Sequence, residues 1–289
     1  MKRAKRILST PHDQITRLGL RLAKYGRSRY SRGHGEFYEQ FFSEKHLHQS
    51  KYDLRARLRR DAVKRALCQD AFPGYPRIVD IGCGVGDVIG AMPPESIKIG
   101  VAYSQADLQL ARAACGAAVQ LVKASAFELP FRSQSVDAII CLEVIEHLAD
   151  DGAAVAEMAR VLKARGLLLI SAPGHRYFPE YLELMGHYRH YSRQSLAALL
   201  AGANLQVIRY VDSYPLINML HFYPFALLEA VHRILNRCGA PAGSLYVRPH
   251  LGRLYGQVAD FLGRRVRERR QAELAACDRS TFVLAQRYE

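Results

Sequence analysis

Residues 77–88 read RIVDIGCGVGDV, and this stretch decides the expected fold. The aliphatic run around Asp80 predicts a buried β-strand, and the glycines at alternate positions, Gly82, Gly84 and Gly86, predict a tight turn that leads into a helix. Glycine is needed where a ligand must reach backbone amides at a helix N-terminus, because a side chain would block the approach. In an open α/β sheet ligands bind beyond the carboxyl ends of the strands, so this loop predicts a site for a nucleotide-like cofactor.

Two other glycine-rich nucleotide loops fit this stretch poorly. A dinucleotide fingerprint requires G-x-G-x-x-G, and its third glycine would fall on Asp87. A phosphate-binding Walker loop would end in Gly-Lys-Ser or Gly-Lys-Thr, which the stretch lacks. The glycine spacing therefore indicates a different nucleotide-like ligand.

The chain from residue 75 onward alternates between short aliphatic runs and helix-like segments. This alternation predicts a parallel sheet with crossover helices. A helix over 193–202 is expected to end at Gly202, and a strand over 205–211 follows it. The earlier strands are predicted at 77–82, 97–103, 118–123, 136–142 and 166–172, and the last strand candidate is Thr281–Arg287.

The overall composition is that of a folded chain in a reducing compartment. Its 289 residues are 49% hydrophobic and 24% charged, which excludes disordered and collagen-like classes. The six cysteines include no C-x-x-C pair, so neither a disulfide scaffold nor a zinc ribbon is indicated. No run reaches the ~18 apolar residues of a membrane-spanning helix. We expect a cytoplasmic protein.

Three segments lie outside the expected core. Residues 1–35 form a basic arm, which reads as a solvated tail, as a helix on anionic lipid or as an organellar transit peptide. Residues 36–74 are expected to form a helical extension. Residues 213–277 are expected to form a helical insertion that serves as a lid or as a membrane-surface element, since its aromatic stretch is too interrupted to span lipid.

The ordered set of motifs resembles the class I S-adenosylmethionine-dependent methyltransferases. The strand, the acid and the G-x-G-x-G loop are similar to the first motif of that family, and each later motif follows in the family's order. The glycine loop alone would be a weak signal, whereas the ordered set is specific. The further matching stretches are IGVAYSQADLQLARA at 99–113, ASAFELPFRSQSVDAIICLEVIEHL at 124–148, VLKARGLLLISAPGH at 161–175 and GHYRHYSRQSL at 186–196.

The resemblance implies an α/β fold: a doubly wound, Rossmann-like, seven-stranded, mostly parallel sheet whose last strand is antiparallel. The core would comprise residues 75–212 and 278–289, with the N-terminal helical extension and the late helical insertion added to it. The implied cofactor is S-adenosylmethionine. Its methionine end would lie at Asp80, Gly82, Cys83, Gly84 and Gly86, its ribose at Ala102 and Tyr103, its adenine at Ser125, Ala126 and Phe127, and its sulfonium above Leu142 and Glu143.

Two positions depart from the family pattern. Ala102 stands where members usually carry the acid that holds the ribose hydroxyls, and Ser125 stands where they usually carry Asp in the adenine loop. Losing a charge-assisted hydrogen bond costs about 1.5–3 kcal/mol. Tyr103 and the Ser125 hydroxyl are the candidate replacements, and a noncatalytic relative that does not bind the cofactor is the alternative.

The candidate catalytic residues are Glu146, His147, His175 and His187, which follow the fourth and fifth predicted strands. Methyl transfer from a sulfonium needs mainly alignment, and a base that takes the proton of a hydroxyl acceptor adds ~100- to 10,000-fold. Each candidate also has a structural interpretation, as a helix cap or as part of a turn. No metal site is expected, because His187 and His190 have no third ligand nearby in the sequence.

The acceptor is the least constrained part of the sequence interpretation. The excess of 41 Lys and Arg over 27 Asp and Glu suggests an anionic partner. We expect O-methylation of a bulky amphiphilic acceptor, namely a lipid-linked sugar, a polysaccharide end or an isoprenoid lipid, with the basic arm on the inner face of a membrane. A small-metabolite methyltransferase is the alternative. RNA binding is disfavoured because the sequence shows no added recognition module.

Overall fold

The structure is a computed structural model that describes residues 54–68, 76–174, 182, 186–211 and 280–288. The helices are α1 (Leu54–Cys68), α2 (Gln105–Cys115), α3 (Asp151–Val161) and α4 (Arg193–Ala201), with short 3-10 helices at Ile89–Ala91, Gly116–Ala118 and Ile145–His147. The strands are β1 (Arg77–Ile81), β2 (Ile97–Ala102), β3 (Gln120–Lys123), β4 (Val136–Leu142), β5 (Leu162–Pro173), β6 (Leu205–Tyr210) and β7 (Ser280–Arg287).

The seven strands form one sheet in the order β3-β2-β1-β4-β5-β7-β6. The pairs from β3 to β5 are parallel, and β7 is antiparallel to both β5 and β6. This confirms the predicted seven-stranded, mostly parallel sheet with an antiparallel last strand. The strand order reverses between β1 and β4, so the loops after these two strands open the crevice where such sheets bind ligands.

Helices cover both faces of the sheet, as the predicted doubly wound architecture requires. On one face α1 contributes Ala62, Val63, Ala66 and Leu67 to a buried cluster with residues of β1, β4, β5 and β7. On the other face α3 and α4 pack on the opposite side chains of the same strands. Strands buried on both faces read as continuous apolar runs, which is why the central strands were visible in the sequence.

β5 starts four residues earlier than predicted. Leu162 pairs with Val136, and the register of the β4–β5 pair shifts between Val136 and Ala138. The early part of the strand carries the exposed residues Lys163 and Arg165, so its sequence lacks the apolar run that marked the rest of the strand.

The prediction of a helix directly after the glycine loop is wrong. The loop continues as turns into the 3-10 helix Ile89–Ala91, and Met92 already has extended backbone with ψ 158°. Gly90 lies within this short helix and disfavours a longer one. Pro93 follows directly and excludes the α conformation at the residue before it.

The three segments predicted to lie outside the core fall largely outside the described residues. α1 falls within the predicted helical extension, 36–74, and agrees with it. The basic arm at 1–35 and the insertion at 213–277 are not among the described residues, so their predicted roles stay predictions. Within the part of the chain that the structure describes, no helix is long and apolar enough to cross a bilayer.

We expect Leu169→Ala to destabilise the protein by about 2–5 kcal/mol, because Leu169 is fully buried in β5 and its removal leaves a cavity. Ile208→Ala, in the exposed part of β6, is the control, with an expected loss below about 1 kcal/mol. Urea unfolding followed by circular dichroism measures both. Equal losses would show that the assigned core is wrong.

Candidate active site

The glycine loop lies against the loop that follows β4. Gly82 has a φ of +72°, and a Cβ built on it would lie 2.4 Å from Cγ2 of Val144, closer than any side chain allows. Gly84 and Gly86 also have positive φ, at +51° and +77°. The loops after β1 and β4 therefore meet at the switch point, and only glycine permits the contact.

The backbone amides of this loop face into the protein. The amides of Gly82 and Cys83 donate to the carbonyl oxygen of Val101, at 2.9 and 3.1 Å, and that of Gly86 donates to the carbonyl of Cys83 at 2.9 Å. The amides of Gly82 and Cys83 are therefore already bonded within the protein. The predicted contacts of this loop with the methionine end of the cofactor stay predictions.

Asp80 places a buried carboxyl group beside this loop. Its side chain is 3% exposed, and its pKa is raised well above its ordinary value, first by burial and then by the nearby Asp87 carboxylate. Arg59 on α1 opposes this shift. The neighbouring Arg60 forms an ion pair of 3.1 Å with Asp87, which ties α1 to the glycine loop. Sequence analysis missed this role of α1, since no motif marks it.

The residues predicted to contact the ribose and the adenine lie just beyond the ends of two adjacent strands, β2 and β3. Ala124 donates its amide to the carbonyl of Ala102, 3.1 Å away, which brings the end of β2 next to the loop that contains Ser125. The side chain of Ala102 is buried, whereas Tyr103 and Phe127 are 63% and 43% exposed. Two exposed aromatic rings thus follow Ala102 and Ser125 closely in the sequence.

Ser125 already has a structural partner. Its hydroxyl oxygen accepts a hydrogen bond from the amide of Phe127 at 3.2 Å, and its backbone bridges to Glu128. The half-buried Ala126 lies between Ser125 and Phe127 in the sequence. The Ser125 hydroxyl therefore holds the shape of its loop, and it keeps one proton to donate.

Leu142 is the last residue of β4, and Glu143 follows it directly. Leu142 is buried, and Glu143 has a φ of +58°, which is uncommon for a residue other than glycine. The backbone carbonyl of Ser171, in β5, accepts a hydrogen bond from the Glu143 amide at 3.0 Å. The Ser171 hydroxyl donates to the Glu143 carboxylate at 2.7 Å. These two bonds hold the unusual backbone in place. Ser171 is a second residue that sequence analysis missed, because the contact joins two strands.

Glu146, His147 and His187 converge beyond the carboxyl end of β4. One ligand-type atom from each side chain lies within 4.8 Å of the others. Nε2 of His147 is 3.8 Å from Oε1 of Glu146, and the rings of His147 and His187 meet edge to face with centroids 4.5 Å apart. Nδ1 of His187 is 2.9 Å from Nε2 of His190.

Hydrogen bonds to three neighbouring elements bring His187 to this cluster. The amide of Tyr188 donates to the carbonyl of Glu146 at 2.7 Å, and the amide of Tyr191 donates to that of Pro173 at 2.8 Å. The Tyr191 hydroxyl donates to Asp151 at the start of α3, 2.7 Å away. Arg189 also pairs with Asp151, so this arginine helps to hold the segment after β5 against the start of α3.

Burial drives the acid and the inner imidazole of the cluster toward their neutral forms. Burial and then the neighbouring Glu143 carboxylate raise the pKa of Glu146 well above its ordinary value. Burial, followed by His147 and His190, lowers the pKa of His187 to about 2. Oε2 of Glu146 is buried without a hydrogen-bond partner. Perturbed groups of this kind concentrate at functional sites.

Three of the four predicted catalytic residues therefore lie together, and His175 is outside the described residues. The absence of a metal site was expected because no third ligand was found near His187 and His190. The structure overturns that reason, since Glu146 and His147 reach His187 across forty residues of chain.

The comparison with protein families identifies the core. Residues 79–170 match the model of the methyltransferase domain. A probable S-adenosylmethionine-dependent methyltransferase of Mycobacterium tuberculosis is 35% identical over 104 residues, which are 35% of this chain and 37% of the relative.

Two further relatives belong to quinone biosynthesis. A ubiquinone biosynthesis O-methyltransferase of Azorhizobium caulinodans is 31% identical over 39% of this chain and 47% of its own length. A ubiquinone/menaquinone biosynthesis C-methyltransferase of Syntrophotalea carbinolica is 33% identical over 50% of this chain and 65% of its own length. The chain thus spans between about a third and two thirds of these relatives.

Solved structures agree on the fold alone. The [4+2]-cyclase SpnF superposes with a TM-score of 0.55 at 18% identity, over 81% of both chains. Because this neighbour is named as a cyclase, the shared fold does not by itself specify methyl transfer.

We expect Gly82→Ala to lower the free energy of unfolding by about 1–3 kcal/mol more than Gly116→Ala does, because overpacking adds to the backbone strain. Both glycines have positive φ, but a Cβ on Gly116 meets nothing within 4 Å, whereas one on Gly82 meets Val144. Urea unfolding of the two variants measures the difference. If the two losses are equal, the contact between the loops after β1 and β4 does not exist as described.

Proposed function

We propose that this chain, whose residues 79–170 form a methyltransferase domain, is an S-adenosylmethionine-dependent methyltransferase that methylates an oxygen of a bulky amphiphilic acceptor. The observation that carries the proposal is the convergence at one edge of the sheet. There the glycine loop, the buried Asp80 and the Glu146–His147–His187 cluster all lie at the carboxyl ends of β1 and β4.

The crevice fits S-adenosylmethionine better than it fits a nucleotide phosphate. The amides of Gly82 and Cys83 are bonded to the carbonyl of Val101, so these two are not available to an anion. The buried carboxyl group of Asp80 suits the ammonium group of the methionine end, which a phosphate ligand lacks. The exposed rings of Tyr103 and Phe127 suit an adenine, because bases stack on aromatic faces.

When bound, S-adenosylmethionine supplies a methyl group activated by a positive sulfonium. The task of the chain is then to align the acceptor oxygen, to exclude water and to receive the hydroxyl proton. Glu143 and Leu142 form the floor nearest the expected sulfonium, and the Glu146–His147–His187 cluster lies one short helix further along the chain. The oxygen–carbon bond forms as the carbon–sulfur bond breaks, and the products are a methyl ether, S-adenosylhomocysteine and a proton.

The amphiphilic acceptor is supported by the sequence around the core. The basic arm and the aromatic insertion at 213–277 suit an anionic membrane surface. Two of the relatives are named for ubiquinone or menaquinone biosynthesis, and ubiquinone and menaquinone carry isoprenoid tails. A small, soluble metabolite is the second candidate, because the sequence of the same insertion also allows a lid.

We expect S-adenosylmethionine at a hundred times its dissociation constant to stabilise the protein by about 2.7 kcal/mol.

Ser125→Asp should tighten binding of S-adenosylmethionine about tenfold or more, because it adds a charge-assisted bond to the adenine amine while keeping the acceptor for the Phe127 amide. Asp80→Asn should weaken binding, because it removes the partner of the ammonium group. Calorimetric titration measures all three proteins, and thermal unfolding without ligand checks that each variant is folded. The absence of any stabilisation in the parent protein would refute the cofactor assignment.

We expect label from methyl-labelled S-adenosylmethionine to enter an extractable lipid or glycolipid when the protein is incubated with bacterial membrane extract. Carbon-13 spectroscopy of the product separates a methoxy group from a methyl group on carbon. Label only in soluble metabolites would favour the second candidate, and label in the RNA fraction would overturn both acceptor assignments. The Asp80→Asn variant, which should bind the cofactor weakly, serves as the matched control.

A further inference from the structure

We propose that Glu146, His147 and His187 form a binding site for a divalent first-row transition-metal ion, such as Mn²⁺ or Zn²⁺, that holds the acceptor oxygen. The role of the ion in catalysis rests on the proposed methyl transfer. Its binding does not, and the two are tested separately.

The first argument is convergence. Glu146 and His147 belong to the 3-10 helix after β4, whereas His187 comes from the segment after β5, and one ligand-type atom of each lies within 4.8 Å of the others. Metal–ligand bonds of about 2.0–2.2 Å place two ligands at most about 4.4 Å apart. Ligand atoms up to 4.8 Å apart therefore need only a small side-chain movement to share one ion.

The second argument is the carboxylate of Glu146. Its side chain is 1% exposed, and Oε2 is buried without a hydrogen-bond partner. The ion pair described for it is with His147, at 3.8 Å, which is too long for a hydrogen bond. A buried carboxylate requires a cation or several hydrogen bonds to offset the loss of water. A metal ion at Oε2 would supply that charge.

The third argument is the support behind the two imidazoles. Nδ1 of His147 lies 3.4 Å from the carbonyl of Gly186, and Nδ1 of His187 lies 2.9 Å from Nε2 of His190. When Nδ1 carries the proton in each ring, Nε2 has the lone pair that a metal needs. Metal-binding histidines typically have such a partner on the other ring nitrogen, because it fixes the orientation and the tautomer.

The ligand set selects the class of ion. Two imidazoles and one carboxylate suit first-row transition metals, whereas Ca²⁺ and Mg²⁺ prefer all-oxygen sites. Three protein ligands leave open coordination positions, as in catalytic zinc sites. An acceptor hydroxyl in such a position would become more acidic, so that its proton leaves to solvent near neutral pH.

The position of the cluster agrees with this role. Glu143, at the expected sulfonium floor, precedes Glu146 by three residues, and its carboxylate adds negative charge near the cluster. An oxygen held by the ion would lie on the same edge of the sheet as the methyl group. The competing explanation is that Glu146 stays protonated in its buried position and that the histidines only pack against it.

The test is titration of the chelator-treated, untagged protein with Co²⁺, whose visible absorption reports coordination by nitrogen and oxygen. We expect one tightly bound equivalent in the parent protein. Glu146→Gln and His187→Gln should each weaken binding by more than the 10- to 100-fold typical of removing a supporting residue, and His190→Gln should weaken it by about that amount. Glu95→Gln, at an exposed acid far along the chain from the cluster, is the control and should bind as the parent protein does.

Thermal unfolding without metal separates a ligand from a structural residue. Glu146→Gln replaces a buried carboxyl group with an amide of the same shape, and it should leave the apoprotein about as stable as before. Equal Co²⁺ affinity in the parent protein and the two ligand variants would overturn the site, and so would a marked loss of apoprotein stability with unchanged affinity.

Two further measurements keep the two proposals apart. Stabilisation by S-adenosylmethionine in the presence of a chelator tests the cofactor site alone, and its failure would refute the methyltransferase whatever Co²⁺ does. Methyl transfer that continues at the full rate in a chelator would overturn the catalytic role of the ion while leaving the methyltransferase intact.

Discussion

The parallel pairing of β1 with β4 is the constraint on which the site depends. Their register, with Asp80 opposite Ile140, brings the loops that follow them to the same height, where Gly82 and Val144 come into contact. A side chain at residue 82 would separate the loops. The same pairing sets the distance between the glycine loop and the Glu146–His147–His187 cluster. Both halves of the crevice therefore depend on the close contact between the Gly82 backbone and the Val144 side chain.

Two buried acids and one residue with a positive φ lie at this edge of the sheet. Burial raises the pKa values of Asp80 and Glu146, and Glu143 has a φ of +58°. Neighbouring bonds hold these groups in place: Ser171 fixes Glu143, and Arg60 fixes the glycine loop through Asp87. Buried acids with raised pKa values, at the edge where such sheets bind ligands, are the pattern expected of a functional site.

Most of the fold could be predicted from the sequence, and most of the side-chain geometry could not. Buried parallel strands are apolar throughout, so β1, β2 and β4 were visible as short aliphatic runs. β6 and β7, which pair antiparallel, were also predicted from the sequence. The helix after the glycine loop was predicted from the usual strand–loop–helix order and is prevented by Gly90 and the prolines that follow. The Glu146–His187 contact joins residues forty positions apart, and no local pattern reports the hydrogen bond from Tyr188 to Glu146 that creates it.

The fold leaves the chemistry open, because the same architecture is found in a [4+2]-cyclase. Whether the crevice binds the cofactor depends on a few residues, and their contributions to the binding free energy can be compared. The missing acids at Ala102 and Ser125 remove about 1.5–3 kcal/mol each if charge-assisted bonds are lost. Stacking of a base on an aromatic ring contributes about 1–3 kcal/mol, so Tyr103 and Phe127 can offset one loss fully and both only if each ring is used. In a crevice that holds its cofactor through rings rather than carboxylates, the adenine face would contribute more binding free energy than the ribose hydroxyls. Affinity in this chain would then depend on the flat part of the ligand, and the methionine end at Asp80 would provide most of the specificity.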